Sequence, residues 1–235
     1  MIELYADGSD FKQIVNIYNN RKTNNIKGFT TNPTLMKKSG VTDYLTFAKD
    51  ILQIVKELPI SFEVFADDFD NMKRQAIILS GLAPNVYVKI PVMNTKKEYS
   101  YKLIKTLSAQ CNIKLNITAV FTTEQIDNIF NSLWPTTESI ISIFGGRIAD
   151  TGNNPEQYIK YAVDRNPSPN YKILWASPRE VYNIYQAQNI NCDIITATPD
   201  LIEKYNKLSN KDLEEYSLET VKMFYDDANS AGYTL

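Results

Sequence analysis

Val86-Tyr-Val-Lys-Ile-Pro-Val92 sets a single lysine inside an otherwise apolar run. Successive side chains of a strand point to opposite faces, so Val86, Val88 and Ile90 share one face while Tyr87, Lys89 and Pro91 share the other. Pro91 has no N–H to give to a sheet and ends the strand, which leaves Lys89 near its carboxyl end. Two readings of that lysine are open. On an edge strand it faces solvent; enclosed at the mouth of a barrel, its amine is a nucleophile that can attack a carbonyl carbon and form a Schiff base. The residues around it decide between them.

The 235 residues, 43% of them hydrophobic and 22% charged, suffice for one large domain and match the usual length of a (β/α)8 barrel. A formal net charge of -2 gives no general basic field, so no nucleic-acid partner is expected. The two cysteines, Cys111 and Cys192, argue against a disulfide scaffold and suit a reducing, cytoplasmic setting. No apolar run reaches the length of about 18 to 20 residues that a membrane span needs, and the start, MIELYADGSD, lacks a basic stretch before an apolar one; no membrane partner is expected. There is no histidine. That removes Ser/His and Cys/His nucleophiles and histidine metal ligands, and with the cysteines far apart no metal site is expected. Acid-base chemistry falls to carboxylates, lysine, tyrosine, hydroxyls or water.

Short β-rich runs alternate with amphipathic helical segments along the chain, the pattern of parallel βα units. The expected strands are Ile2 to Ala6, Lys27 to Thr31, Ser61 to Phe65, Val86 to Pro91, Lys114 to Val120, Ser139 to Phe144, Lys172 to Ser177 and Asp193 to Thr198. Helices are expected over Tyr44 to Leu58, Phe69 to Leu82, Glu98 to Gln110, Thr123 to Leu133, Pro155 to Val163 and Pro178 to Gln188, and another opens at Pro199. The fold class is therefore α/β, a single (β/α)8 barrel over 1–235 with an extra C-terminal helix at about 217–229. That helix carries Leu218, Val221, Phe224 and Tyr225 on one side and is expected to serve as a lid or an interface.

In such a barrel, reactive groups gather at the carboxyl ends of the strands. Polar residues recur there: Asp7; Thr30, Thr31 and Asn32; Glu63; Lys89; Asn116 and Thr118; Ser142, Phe144 and Arg147; Ser177 and Arg179. Alternation puts Asn116 and Thr118 on one face of their strand and Leu115, Ile117 and Ala119 on the other. Each residue has a plainer reading. Asp7 before Gly8 suits a turn or a helix cap, Asn32-Pro33 a turn, Arg147 a surface charge, and Asn116 and Thr118 can satisfy each other in a core. Glu63 is the least comfortable as mere structure, because a buried carboxylate without partners is costly. Their coincidence at one end of successive strands favours a joint site.

At these residues the sequence resembles the transaldolase family, Schiff-base enzymes on a (β/α)8 barrel. The matching words are Gly28-Phe-Thr-Thr-Asn-Pro-Thr-Leu35, Phe62-Glu-Val64, Val88-Lys-Ile-Pro91, Asn116-Ile-Thr118, Ser142-Ile-Phe-Gly-Gly-Arg-Ile148 and Ala176-Ser-Pro-Arg179, spread over nearly the whole chain. The resemblance implies that Lys89 forms the Schiff base, that Asp7 is the acid-base for carbon-carbon cleavage, and that Glu63 and Thr118 hold a proton-shuttling water. It further implies that Asn32, Asn116 and Ser142 bind the dihydroxyacetone part of a sugar phosphate, with Thr30 and Phe144 also among the substrate-binding residues, and that Arg147, Ser177 and Arg179 bind its phosphate. No cofactor is needed, the substrates are small sugar phosphates, and a homo-oligomer is expected. Ile143 stands where the family usually has proline and Pro178 where an aromatic residue is common, which leaves the sugar phosphate open. Transfer of a dihydroxyacetone unit is the leading expectation. Release of free dihydroxyacetone by an aldolase is the alternative, against which Glu63 and Phe144 weigh, since aldolase relatives carry an amide and a tyrosine there. A non-catalytic barrel that binds sugar phosphates is the third.

Overall fold

The computed structural model describes residues 2–235. Eight parallel strands close into a barrel in sequence order: β1 Glu3–Asp7, β2 Ile26–Thr30, β3 Ile60–Glu63, β4 Val86–Pro91, β5 Leu115–Val120, β6 Ser139–Ile143, β7 Tyr171–Trp175 and β8 Ile194–Ala197. Between and after them run α1 Phe11–Asn19, α2 Pro33–Lys38, α3 Tyr44–Ile54, α4 Phe69–Ser80, α5 Tyr101–Lys105, α6 Thr123–Ser132, α7 Gly145–Asp150, α8 Pro155–Arg165, α9 Tyr182–Asn189, α10 Pro199–Leu208 and α11 Leu213–Ser230. The chain divides into two compact units, one through Ile202 and one from Glu203 to Leu235. α11 is longer at both ends than 217–229, and its Leu218, Val221, Phe224 and Tyr225 are exposed.

Alternation along each strand builds the core in two places. Phe29, Phe62, Val88, Ile90, Ile117, Ile141, Ile143, Ile173, Trp175 and Ile195 are buried on the outward face, which the helices cover. Inside the barrel, Tyr5, Ile140, Leu174, Ala176 and Ile194 form a buried apolar cluster, with Tyr87 and Phe144 packed against it. This plug makes the carboxyl end of the barrel a closed-bottomed cup. Half of the βα loops reach their helix on a capping side chain that accepts from a first-turn N–H, namely Asp10, Asn32, Asp68 and Thr122, the last with Gln125 in a capping box, and Asp43 caps α3 in the same way.

Departures from the sequence reading have local causes. The segment from Glu98 begins its helix only at Tyr101, because the Asn94 carboxamide oxygen accepts from Lys96 and Glu98 N–H groups and holds a turn; from Thr106 to Gln110 the helix widens to π geometry. The segment from Pro178 becomes helical at Tyr182, since the Asn183 carboxamide holds the N–H groups of Arg179 and Glu180 in a loop. α1, α2 and α7 were not expected. α2 and α7 are six residues each and α7 opens on Gly-Gly, a weak helix signal; α1 buries only Ile14 and Tyr18.

Gly28 of β2 faces the Tyr5 ring so closely that a Cβ there would lie 2.4 to 2.7 Å from three ring atoms. Tyr5 is fully buried and cannot swing aside. Gly28→Ala is therefore expected to destabilise the barrel by about 1 to 3 kcal/mol through overpacking. Thermal unfolding followed by the fluorescence of the buried Trp175 checks this, and the same change in a Tyr5→Leu background should cost less. An equal cost in both backgrounds would show that the ring is not what excludes a side chain.

Candidate active site

A pocket of about 390 Å³ opens at the carboxyl ends of the strands, and Asp7, Thr30, Asn32, Glu63, Lys89, Thr118, Ser142, Phe144, Arg147, Ser177 and Arg179 all line it. Of the expected site residues only Asn116 lies beneath it, fully buried. Among the described residues, no three Cys, Asp or Glu side chains gather where they could hold a metal ion.

Parallel register builds the centre. Glu63 of β3 pairs with Lys89 of β4, which pairs with Asn116 of β5, so their inward side chains stand at one level. The Lys89 Nζ is 3.0 Å from Glu63 Oε2 and donates to the Thr31 carbonyl at 2.9 Å. Lys89 is 6% exposed, which excludes the edge-strand reading. The buried Lys89 amine thus has its partner in the partly buried Glu63 carboxylate, as desolvation requires. Beneath them, Ser142 Oγ donates to Asn116 Oδ1 at 2.6 Å and Asn116 Nδ2 donates to Ser61 Oγ at 3.0 Å. Asn116 and Thr118 therefore do not satisfy each other.

Thr118 is the exception in this bonded floor. Its hydroxyl is buried, lines the pocket and has no hydrogen-bond partner. The cause is a bulge: Ile117 pairs with Ile141 and Val120 with Ile143, so Thr118 and Ala119 together face Ser142, and Ala119 takes a left-handed φ of 58°. Contrary to plain alternation, Ala119 turns to line the pocket while Val120 goes to the core. An unsatisfied buried hydroxyl facing a cavity is a place for a ligand or water atom.

Asp7, at the end of β1, accepts from Thr30 Oγ1 at 2.7 Å, and Thr30 Oγ1 is 2.6 Å from Thr196 Oγ1. Thr30 has one hydroxyl proton and gives it to Asp7, so Thr196 donates to Thr30. Thr196 and Thr198 line the pocket and were missed by the sequence reading, as were Pro33, Thr34, Ala176 and Pro178. A threonine in a strand carries no signal of its own; only the closure of β8 onto β1 brings Thr196 to Asp7.

The arginines come together because Gly146 has no side chain: a Cβ there would lie 1.6 Å from the Ser177 carbonyl oxygen. α7 therefore touches the backbone after β7, where Ser177 has a left-handed φ of 59°. Arg147 stacks over Phe144, 5.6 Å from the ring centroid, and Phe144 meets Phe121 at 5.7 Å. Arg179 is paired with Asp150, a residue the sequence reading did not single out. Asn32 spends its carboxamide oxygen on capping α2, leaving its NH2 group as a donor.

The profile of the family described as Transaldolase/Fructose-6-phosphate aldolase matches residues 4–235. A probable transaldolase of Brucella anthropi is 32% identical over 230 residues, covering 94% of this chain and 97% of that protein, and one of Mesorhizobium japonicum is equally similar. One of Bartonella henselae is 28% identical over 92% of this chain and 94% of its own length. Among solved structures, a 3-hexulose-6-phosphate synthase superposes with a TM-score of 0.60 at 10% identity, covering 87% of this chain and 98% of that one. A sialic acid aldolase of Ruminococcus gnavus does so with 0.57 at 11%, covering 83% and 67%. At these identities the two structures establish the barrel fold alone. The chain belongs to the transaldolase/fructose-6-phosphate aldolase family.

Burial raises the pKa of Asp7 above the ordinary carboxylate value; the Lys89 charge and the Thr30 hydrogen bond pull it back down, and Glu63 adds to the rise. A carboxyl that holds its proton more tightly when folded makes stability fall as pH rises from the unfolded value through the raised one. Asp7→Asn removes that cost and is expected to be more stable than the wild type at neutral pH, with the gain shrinking toward about pH 3. Calorimetric melts across pH check it; a pH-independent difference would contradict the raised value.

Proposed function

We propose that the protein is a transaldolase that moves a dihydroxyacetone unit from a ketose phosphate, such as sedoheptulose 7-phosphate or fructose 6-phosphate, to an aldose phosphate. The reaction runs through a Schiff base on Lys89 and belongs to the pentose phosphate pathway. The observation that carries this reading is the buried Lys89 amine, held 3.0 Å from Glu63 on the floor of a pocket that also presents Asp7.

In this reading Lys89 gives a proton to Glu63 and its amine attacks the ketose carbonyl carbon, and the carbinolamine loses water as Glu63 and the unpartnered Thr118 hydroxyl pass protons through a held water. Asp7, poised by its raised pKa, takes the proton of the C4 hydroxyl. The C3–C4 bond breaks, its electrons enter the iminium, and the aldose phosphate departs. The enamine on Lys89 then attacks an acceptor aldehyde and Asp7 returns the proton. Asn32 and Ser142 bind the three-carbon unit, with Asn116 holding Ser142; Arg147, Ser177 and Arg179 take the phosphate by charge-assisted bonds. Thr30, which lines the pocket, also directs its hydroxyl at Asp7. The four exposed apolar residues of α11 support a homo-oligomer, and the free Cys111 and Cys192 support a cytoplasmic location.

Borohydride added with fructose 6-phosphate is expected to fix the three-carbon unit on Lys89, because reduction turns a reversible imine into a stable amine. Peptide mapping reads the site. Label on another lysine, or turnover without label, would remove the Schiff-base assignment; Lys89→Met should lose both label and turnover while melting as a folded protein.

The family also contains aldolases, and Phe144 separates the two outcomes. Its ring gives the enamine no donor that could hold water for protonation. Phe144→Tyr adds such a donor and is expected to shift the enzyme from transfer toward release of dihydroxyacetone, with Schiff-base formation kept. Dihydroxyacetone freed from fructose 6-phosphate without acceptor is the measurement. A wild type that releases it as fast as it transfers to erythrose 4-phosphate would establish the aldolase instead.

A further inference from the structure

Of the two arginines at the pocket, one is already occupied. Arg179 Nε donates to Asp150 Oδ1 at 3.1 Å and its Nη2 to Asp150 Oδ2, so both N–H groups of one edge of the guanidinium grip a carboxylate. Asp150 sits three residues after Arg147 on α7 and does not line the pocket, whereas both arginines do. The Arg179 guanidinium lies over Gly146, where an added Cβ would be 3.3 Å from its Nε.

We infer that Asp150 is a specificity-determining residue, an internal anion that holds the edge of Arg179 that a substrate phosphate would take and so weakens phosphorylated substrates relative to unphosphorylated ones. This rests on the reading of Arg147 and Arg179 as the phosphate site. The argument is one of geometry and charge. Carboxylate and phosphate both bind a guanidinium through two parallel N–H bonds, and the Nε–Nη2 edge can serve only one of them fully. With Asp150 counted, the arginines bring one net positive charge to a dianion instead of two. Both members of the pair are about half exposed, with side-chain exposures of 50% and 51%, so the bond is weak enough for a phosphate to displace. Hence Asp150 sets the strength of binding without blocking it. A purely orienting role for Asp150 predicts the opposite sign, because losing the orienter would weaken phosphate.

The test is calorimetric titration of the protein with inorganic phosphate, beside KM for fructose 6-phosphate and for unphosphorylated fructose as donors. Asp150→Asn is expected to tighten phosphate by about three- to tenfold and to lower KM for fructose 6-phosphate in proportion, with unphosphorylated fructose unchanged. Asp150→Ala should move in the same direction, and unchanged melting of either variant guards against misfolding. Arg179→Ala should weaken phosphate. If it does while the Asp150 variants leave phosphate unchanged or weaker, Asp150 is an orienting or structural partner and this inference is overturned alone. If neither Arg179→Ala nor Arg147→Ala weakens phosphate, the phosphate site itself is wrong and the inference goes with it.

Discussion

A lysine amine taken out of water must find an anion and acceptors or give up its place in the fold, and the Lys89–Glu63 pair is the solution on which the rest of the site depends. Removing Glu63 would leave the buried Lys89 charge uncompensated. The pair forms because neighbouring parallel strands align Glu63 with Lys89 and both sit on the inward face. A slip of one residue in either strand would turn one of them toward the helices. The barrel's register is thus fixed by charge as well as by the apolar outward face, and the same register brings Asn116 beneath the amine.

Around this pair the polar side chains are either satisfied or left available. Ser142, Asn116 and Ser61 form a closed chain of hydrogen bonds that fixes the Asn116 carboxamide, while Thr196 and Thr30 direct a hydroxyl proton at Asp7. Such chains polarise one another in a poorly solvated site and hold donors in fixed directions. Against this rigid floor the unpartnered Thr118 hydroxyl stands out, and the bulge that aims it requires a left-handed Ala119, a conformation that costs energy. Strain and an unsatisfied donor at one spot are what a site built for a ligand carries.

The fold was legible because helical and strand periods alternate along the chain, and every one of the eight strands falls within two residues of its expected bounds. The candidate site was legible for a related reason: strand alternation fixes which residues face inward, and a charged residue in an apolar strand is conspicuous. Asp7, Glu63 and Lys89 could be listed from their own segments, and their coincidence at one end of the strands made the joint reading. Thr196 and Asp150 could not. Each is an ordinary residue in its own segment and acquires a role only through a partner far along the chain, Thr30 for one and Arg179 for the other. The bulge at Ala119 was hidden likewise, because no glycine marks it and plain alternation reads straight through it.

The two ends of the barrel show how function separates from stability in one architecture. At the amino ends of the strands Lys172 pairs with Glu3 at 2.6 Å, Lys114 pairs with Glu138 at 2.6 Å, and Tyr87 donates to Glu138 at 3.0 Å. That face also encloses a cavity, of about 330 Å³, and of the charges that line it Glu3, Glu138 and Lys172 are matched within the protein while Lys27 is exposed. At the carboxyl ends, Arg147 is exposed over Phe144, Thr118 lacks a partner, and Asp7 is held above its ordinary pKa. Cavity size therefore does not distinguish the two ends; unspent bonding capacity does. A set of groups that satisfies itself closes the fold, whereas one that leaves donors and charges without partners is open to a ligand.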